Sequence, residues 1–298
     1  MKPAIVGNVL VFLSAVCLAI SALYTHVLLQ DIDPLVFAFY CFAMVIALSF
    51  TIRRLFCSDR PLLQDVRANV KHVLLLNVTT AADWVLYLVA LKYINGSFTN
   101  ALVFGVTPIA SLFFSARQNR ERLFFSILIL LFLTLIAFEY VNFDSTKTEN
   151  IVYGIVISIV AGIAVGGTTV SLKELSNRKL QIVDVILTRY VLTLVIAFAI
   201  ILGRGTAFRV PPLDVVKIFV VSILFVLLPT YLVQRGIRAI SPFSTAVISS
   251  SIPALTFLFA AAASFQIQPL QLLYVIGLSV VLVFLTTRKE TPPARASA

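Results

Sequence analysis

The chain has 298 residues, of which 60% are hydrophobic and only 12% charged, with a mean hydropathy of +1.03. A soluble domain carries roughly 25% charged residues, so a water-facing globule is excluded. The apolar runs are continuous rather than alternating over strands of ~10 residues, which excludes an outer-membrane barrel and leaves helices as the only spanning structure. The formal charge of +10 does not point to nucleic acid. Its Lys and Arg residues sit in short loops between apolar runs, the pattern that sets orientation in a membrane.

A spanning helix needs about 20 apolar residues to cross ~30 Å of hydrocarbon. The first such run, Pro3 to Leu29, has no Asp, Glu, Lys or Arg. It is longer than the apolar part of a signal peptide and reads as an uncleaved span. The second follows Pro34 and ends near Phe50, before a basic loop from Thr51 to Lys71. The third runs from His72 to Ala90, the Asn95–Gly96 turn follows, and the fourth ends near Ala116. Arg117, Arg120 and Arg122 precede the fifth, which ends near Val141. The polar stretch 142–150 divides the chain. In the second half, spans are expected at Ile151–Leu172, Gln181–Leu202, Leu213–Gln234, from Pro242 to Ser264, and Leu270–Thr287, with a tail at 288–298.

Ten spans put both termini on one side. The loops on that side hold seventeen Lys and Arg against five on the other, which predicts cytoplasmic termini in the cell's inner membrane. Cys17, Cys41 and Cys57 have neither metal spacing nor a paired framework.

One stretch occurs twice. Tyr87–Phe114 and Val233–Phe259 each end a helix in a basic residue (Lys92, Arg238), turn through Ile94 or Ile240 into a polar corner, and continue as a helix with an internal proline (Pro108, Pro253). Five spans per half is an odd number, so the halves cross in opposite senses. The expected fold is all-α and integral to the membrane: ten transmembrane helices as an inverted 5+5 repeat, residues 1–141 and 151–287, with a binding site between the halves at mid-membrane.

This arrangement resembles the drug/metabolite transporter superfamily, EamA type. The resemblance spans nearly the whole chain and is carried by Ala90–Phe114 and its partner Arg235–Phe259. It implies a secondary transporter, most often an exporter of amino acids, metabolites or drugs, with some importers. An arginine in helices two and seven is frequent there; Arg189 stands at the second position, and Tyr40 and Cys41 at the first.

Asp83 is the sharpest candidate for chemistry. It lies between Lys71 and Lys92 near mid-membrane, where a charge costs at least ~2.5–3.5 kcal/mol and is by default functional. It is also the expected proton carrier. A structural aspartate bonded to a neighbouring helix is the plainer account. Trp84 adjoins it, and Tyr87 lies one turn on. Arg189 either binds an anionic group, pairs with Asp83, or snorkels to the surface. Asn100 and Thr107 precede Pro108; Ser249, Ser250 and Ser251 precede Pro253. Helix–helix packing competes with ligand contact for all of them, and for Gly162 and Gly166 it wins. Tyr231 and Gln234 are spaced to share a face after Pro229. His26 and Glu139 lie near helix ends, where solvation accounts for them. The expected substrate-binding set is Asp83, Trp84, Tyr87, Asn100, Arg189, Tyr231, Gln234 and Ser250.

The chain lacks a phosphate-binding loop pattern, and neither of its two histidines has a partner at metal spacing. No enzyme activity, cofactor or metal is expected. The expected partners are a small-molecule substrate and the bilayer, with the chain acting as a monomer or homodimer. The expected activity is export of an amino acid-like or drug-like metabolite by alternating access. One alternative is uptake of an anionic metabolite or vitamin on the same fold. Another, from a different class, is a non-transporting membrane scaffold with a packed centre.

Overall fold

The computed structural model describes residues 2–28, 32–56, 62–94, 96–115, 120–138, 148–206, 208–264 and 269–287. Asn95, Cys57, Glu139, most of the 142–150 stretch, the tail from Arg288 and the His26 side chain lie outside the described residues.

The described residues contain no strand and form fourteen α-helices: α1 (Pro3–Leu28), α2 (Pro34–Phe56), α3 (Leu62–Ala68), α4 (Val70–Ala90), α5 (Gly96–Phe114), α6 (Arg120–Phe138), α7 (Thr148–Asn177), α8 (Ile182–Arg189), α9 (Val191–Arg204), α10 (Pro212–Val221), α11 (Leu228–Ile237), α12 (Pro242–Ser249), α13 (Ile252–Ser264) and α14 (Pro269–Thr287). A π-helical stretch, Ser222–Leu227, joins α10 to α11. These make ten spans, with α8–α9 as the seventh, α10–α11 as the eighth and α12–α13 as the ninth. Seven spans are long and apolar enough to cross a membrane by themselves. Helices α5, α6 and α14 have 19 residues each, about 28 Å of helix, and complete the set.

Helix starts follow the sequence. Proline opens α1, α2, α10, α12 and α14, where its missing N–H costs nothing and its fixed φ suits the first turn. Asp33 caps α2 by accepting from the Leu35 and Val36 amides at 2.8 and 3.2 Å. Ser241 caps α12 by accepting from the Ser244 amide at 3.1 Å. Helix α9 ends on Gly205 at φ 63°, and α7 ends on Lys179 at φ 61°. In each case the next amide reaches back to the carbonyl five residues earlier, Thr206 to Ile201 and Leu180 to Leu175, closing a Schellman turn.

Several boundaries differ from the sequence reading: α7 runs to Asn177, past the expected Leu172, and α11 to Ile237, past the expected Gln234. Helix α2 continues to Phe56, past Arg53 and Arg54, because cations suit a helix C-terminus and long basic side chains reach out of the apolar layer. The short helix α3 then fills part of the basic loop.

The principal helix pairings are duplicated between the halves. Span four packs on six as nine packs on one; three on six as eight on one; four on five as nine on ten; three on seven as eight on two. Pairs two–seven, four–nine and five–ten are their own counterparts. Adding five to each span number maps these pairings onto one another, as a repeat of five spans requires.

Between helices in lipid, close packing replaces the hydrophobic drive. A Cβ on Gly162 would lie 2.7 Å from the Val103 carbonyl oxygen, and one on Gly166 would lie 2.5 Å from Ala110 Cβ. In the counterpart contact, a Cβ on Gly236 would lie 2.8 Å from the Gly7 carbonyl oxygen. These glycines let α7 press on α5, and α11 on α1.

Candidate functional site between the two halves

The seventh span breaks at Tyr190 without a proline. The Leu192 amide donates to Asn77 Oδ1 on α4 at 3.2 Å, so a side chain from another span takes an amide of the interrupted turn. Tyr190 is thereby turned inward. Its ring stacks on Phe42 of α2 at 4.8 Å and 13°, and its hydroxyl meets Thr230 Oγ1 at 2.9 Å. Trp84 of α4 meets Phe42 edge-on at 4.9 Å.

Arg189 sits at the same break. Its Nε donates to Thr80 Oγ1 at 3.2 Å, and its guanidinium lies 5.3 Å from the centre of the Tyr190 ring, a cation–π distance. Its terminal nitrogens have no hydrogen-bond partner among the described residues. Asp83 lies within electrostatic reach of Arg189, and no hydrogen bond within the described residues engages its carboxylate. The Tyr87 hydroxyl lies beside the Asn100 side chain of α5. Asp83 and Tyr87 are surrounded by protein, yet each retains accessible surface.

Five of the eight expected residues are therefore brought into one neighbourhood, by α4, α5 and the α8–α9 break: Asp83, Trp84, Tyr87, Asn100 and Arg189. The other three are placed differently. Ser250 is fully buried and its hydroxyl reaches the Phe104 carbonyl of α5 at 2.7 Å and the Ala246 carbonyl at 3.0 Å. Pro108 has no N–H to give the Phe104 carbonyl its helical bond, so Ser250 supplies the missing donor from the counterpart span. Tyr231 is 37% exposed, with its hydroxyl 3.5 Å from Arg235. Gln234 is only 4% exposed, so the two do not share an environment as their spacing suggested. Gln234 Nε2 is buried without a partner among the described residues, beside a cavity of about 10 Å³, room for about one water, lined also by Leu172, Leu180, Val185 and Arg238.

The sequence reading missed Thr80, Phe42 and Tyr190. Phe42 is hidden among 24 phenylalanines, and only the partners reveal it. It also missed an ion pair between the halves: Arg53 Nε to Asp184 Oδ1 at 2.5 Å, with side chains 15% and 1% exposed. An aspartate three residues into a span carried the signal, because a buried charge needs a partner.

The EamA-like transporter family matches over residues 5–142. No curated relative matches the sequence. A solved crystal structure, described in its own heading only as that of a protein, is similar with a TM-score of 0.72 at 15% identity, covering 95% of this chain and 99% of that chain. That likeness concerns the fold. The molecule is thus an all-helical, multi-pass membrane protein whose residues 5–142 are similar to the EamA-like transporter family.

Proposed function

We propose that the protein is a secondary transporter that moves an amino acid-like metabolite through the space between its halves, by alternating access. One observation carries the reading: Asp83 and Arg189 present opposite charges to the same interior, and neither is neutralised in a contact ion pair among the described residues. A carboxylate and a guanidinium held apart suit the ammonium and carboxylate of a zwitterion. Trp84, Tyr87 and Tyr190 supply aromatic walls for its side chain. Asn100 adds a neutral polar contact.

The charge asymmetry of the loops supports cytoplasmic termini in the inner membrane. Export is the direction the family resemblance favours. Asp83 is the carboxylate that α4 brings to this neighbourhood and the proposed proton carrier. Uptake of an anionic solute is the second reading, favoured by the ends of the Arg189 guanidinium, which have no partner among the described residues.

Metabolite profiling of cells with and without the protein, followed by flux in vesicles, tests the proposal. Accumulation of amino acids in cells lacking it, and their counterflow in vesicles, are the expected results. Counterflow absent for every zwitterion and anion in the profile would overturn it.

A further inference from the structure

Spans two and seven pair with each other across the two halves, and the pair is fastened at both ends by different chemistry. At the face that bears the termini, Arg53 near the end of α2 meets Asp184 near the start of α8. At the opposite face, Phe39 of α2 packs on Phe198 of α9 at 5.7 Å and on Phe208 at 5.4 Å, and the last two lie 5.6 Å apart. The Tyr40 hydroxyl donates to the Phe208 carbonyl at 2.8 Å. Phe39 and Arg53 are fourteen residues apart on one helix, about 21 Å at ~1.5 Å per residue. Phe42, Tyr190 and Arg189 lie between the two fastenings.

We propose that Arg53 and Asp184 close the transport path at the termini face, and that Phe39, Phe198 and Phe208 close it at the opposite face. The proposal rests on the transport reading for its purpose. A buried ion pair is a poor source of net stability, because desolvating two charges offsets most of their attraction. That weakness suits a reversible closure. When the halves part, both charges regain water, so the closed and open arrangements stay close in free energy. The contact is also made through one carboxylate oxygen. Asp184 Oδ2 is buried without a hydrogen-bond partner among the described residues, so the pair lacks the two-pronged geometry of the strongest arginine–carboxylate contacts. At the other end, three rings part without leaving a charge behind. Spans two and seven move relative to each other in any rocking of the two halves, and both fastenings lie on that contact.

The test uses the full chain in oriented proteoliposomes, with its three cysteines replaced by serine and Tyr87→Cys introduced as a reporter. A membrane-impermeant maleimide is applied from each side, so the readout needs no substrate. Asp184→Asn and Arg53→Gln should each raise labelling from the termini face by about tenfold, by shifting the population toward the open form. Asp184→Glu, which keeps the pair, should label at the parental rate. Phe39→Ala should raise labelling from the opposite face alone. If one charge variant does not assemble, the other carries the test, since each breaks the same contact. Unchanged rates from the termini face in the assembled variants would overturn the proposal. So would labelling by Asp184→Glu as fast as by Asp184→Asn. Absence of flux in the unsubstituted chain, with these accessibility shifts intact, would count against transport and leave the two closures standing.

Discussion

Replacing Ser250 by alanine tests whether that residue fastens helices or binds substrate. The Phe104 carbonyl sits one turn before Pro108, which cannot donate to it. Ser250 Oγ, 2.7 Å away, is the donor. Ser250→Ala leaves that carbonyl buried without a partner, at a cost of about 1–3 kcal/mol for an orphaned buried group. Hydrogen bonds between membrane helices average nearer ~0.6 kcal/mol and reach about 1.7 kcal/mol, so the expected loss is about 1–2 kcal/mol. Pro108→Ala restores the amide that the Phe104 carbonyl lacks. In that background Ser250→Ala should cost about 1 kcal/mol less, a coupling within the range for residues in contact. Thermal unfolding of the four chains in one detergent measures it. Transport by Ser250→Ala should keep its KM while the protein loses stability. A raised KM at unchanged stability, or additive effects of the two substitutions, would refute the reasoning.

Asp83→Asn should abolish flux driven by an imposed pH gradient and raise KM in substrate exchange for a zwitterion, as vesicle assays with and without the gradient would show; full gradient-driven flux would remove Asp83 from proton coupling. Arg189→Lys keeps the charge but loses the Nε bond to Thr80 and the planar fork, so KM for a carboxylate-bearing substrate should rise about tenfold, with little change for a neutral analogue. Gly166→Val should prevent α7 from seating on α5, because a Cβ there already lies 2.5 Å from Ala110 Cβ; the expected result is loss of monodisperse protein on gel filtration. Lys179→Gly should raise stability by about 0.5–1 kcal/mol, since lysine is held at φ 61° where glycine is unstrained; a lower melting temperature would contradict this.

The spans were legible because each is a run whose apolar length matches a membrane. The five candidates that the fold brings together stood out for a related reason: a charge or a polar ring in such a run is expensive to keep there unless it meets a partner or a solute. The break at Tyr190 was not, because its cause is Asn77, 113 positions away in sequence, offering an oxygen to the Leu192 amide. Asp184 was overlooked because a carboxylate near a span end passes for a solvated one until Arg53 is seen against it. For Ser250 the sequence left ligand contact and helix packing side by side, because the carbonyl it meets is one that a proline in another span left without a helical donor.

Among the described residues, the interruptions within spans all fall in the second half. The break at Tyr190, the π-helical stretch at Ser222–Leu227 and the break at Ser250–Ser251 lie in spans seven, eight and nine, whereas their counterparts α2, α4 and α5 are single unbroken helices. A rod bends where its ladder of bonds is already incomplete, so compliance is concentrated downstream of residue 181 and the upstream bundle acts as a stiff abutment. Equal architecture thus comes with unequal elasticity: substitutions that stiffen those three joints should slow turnover, while equivalent changes upstream should mainly affect assembly.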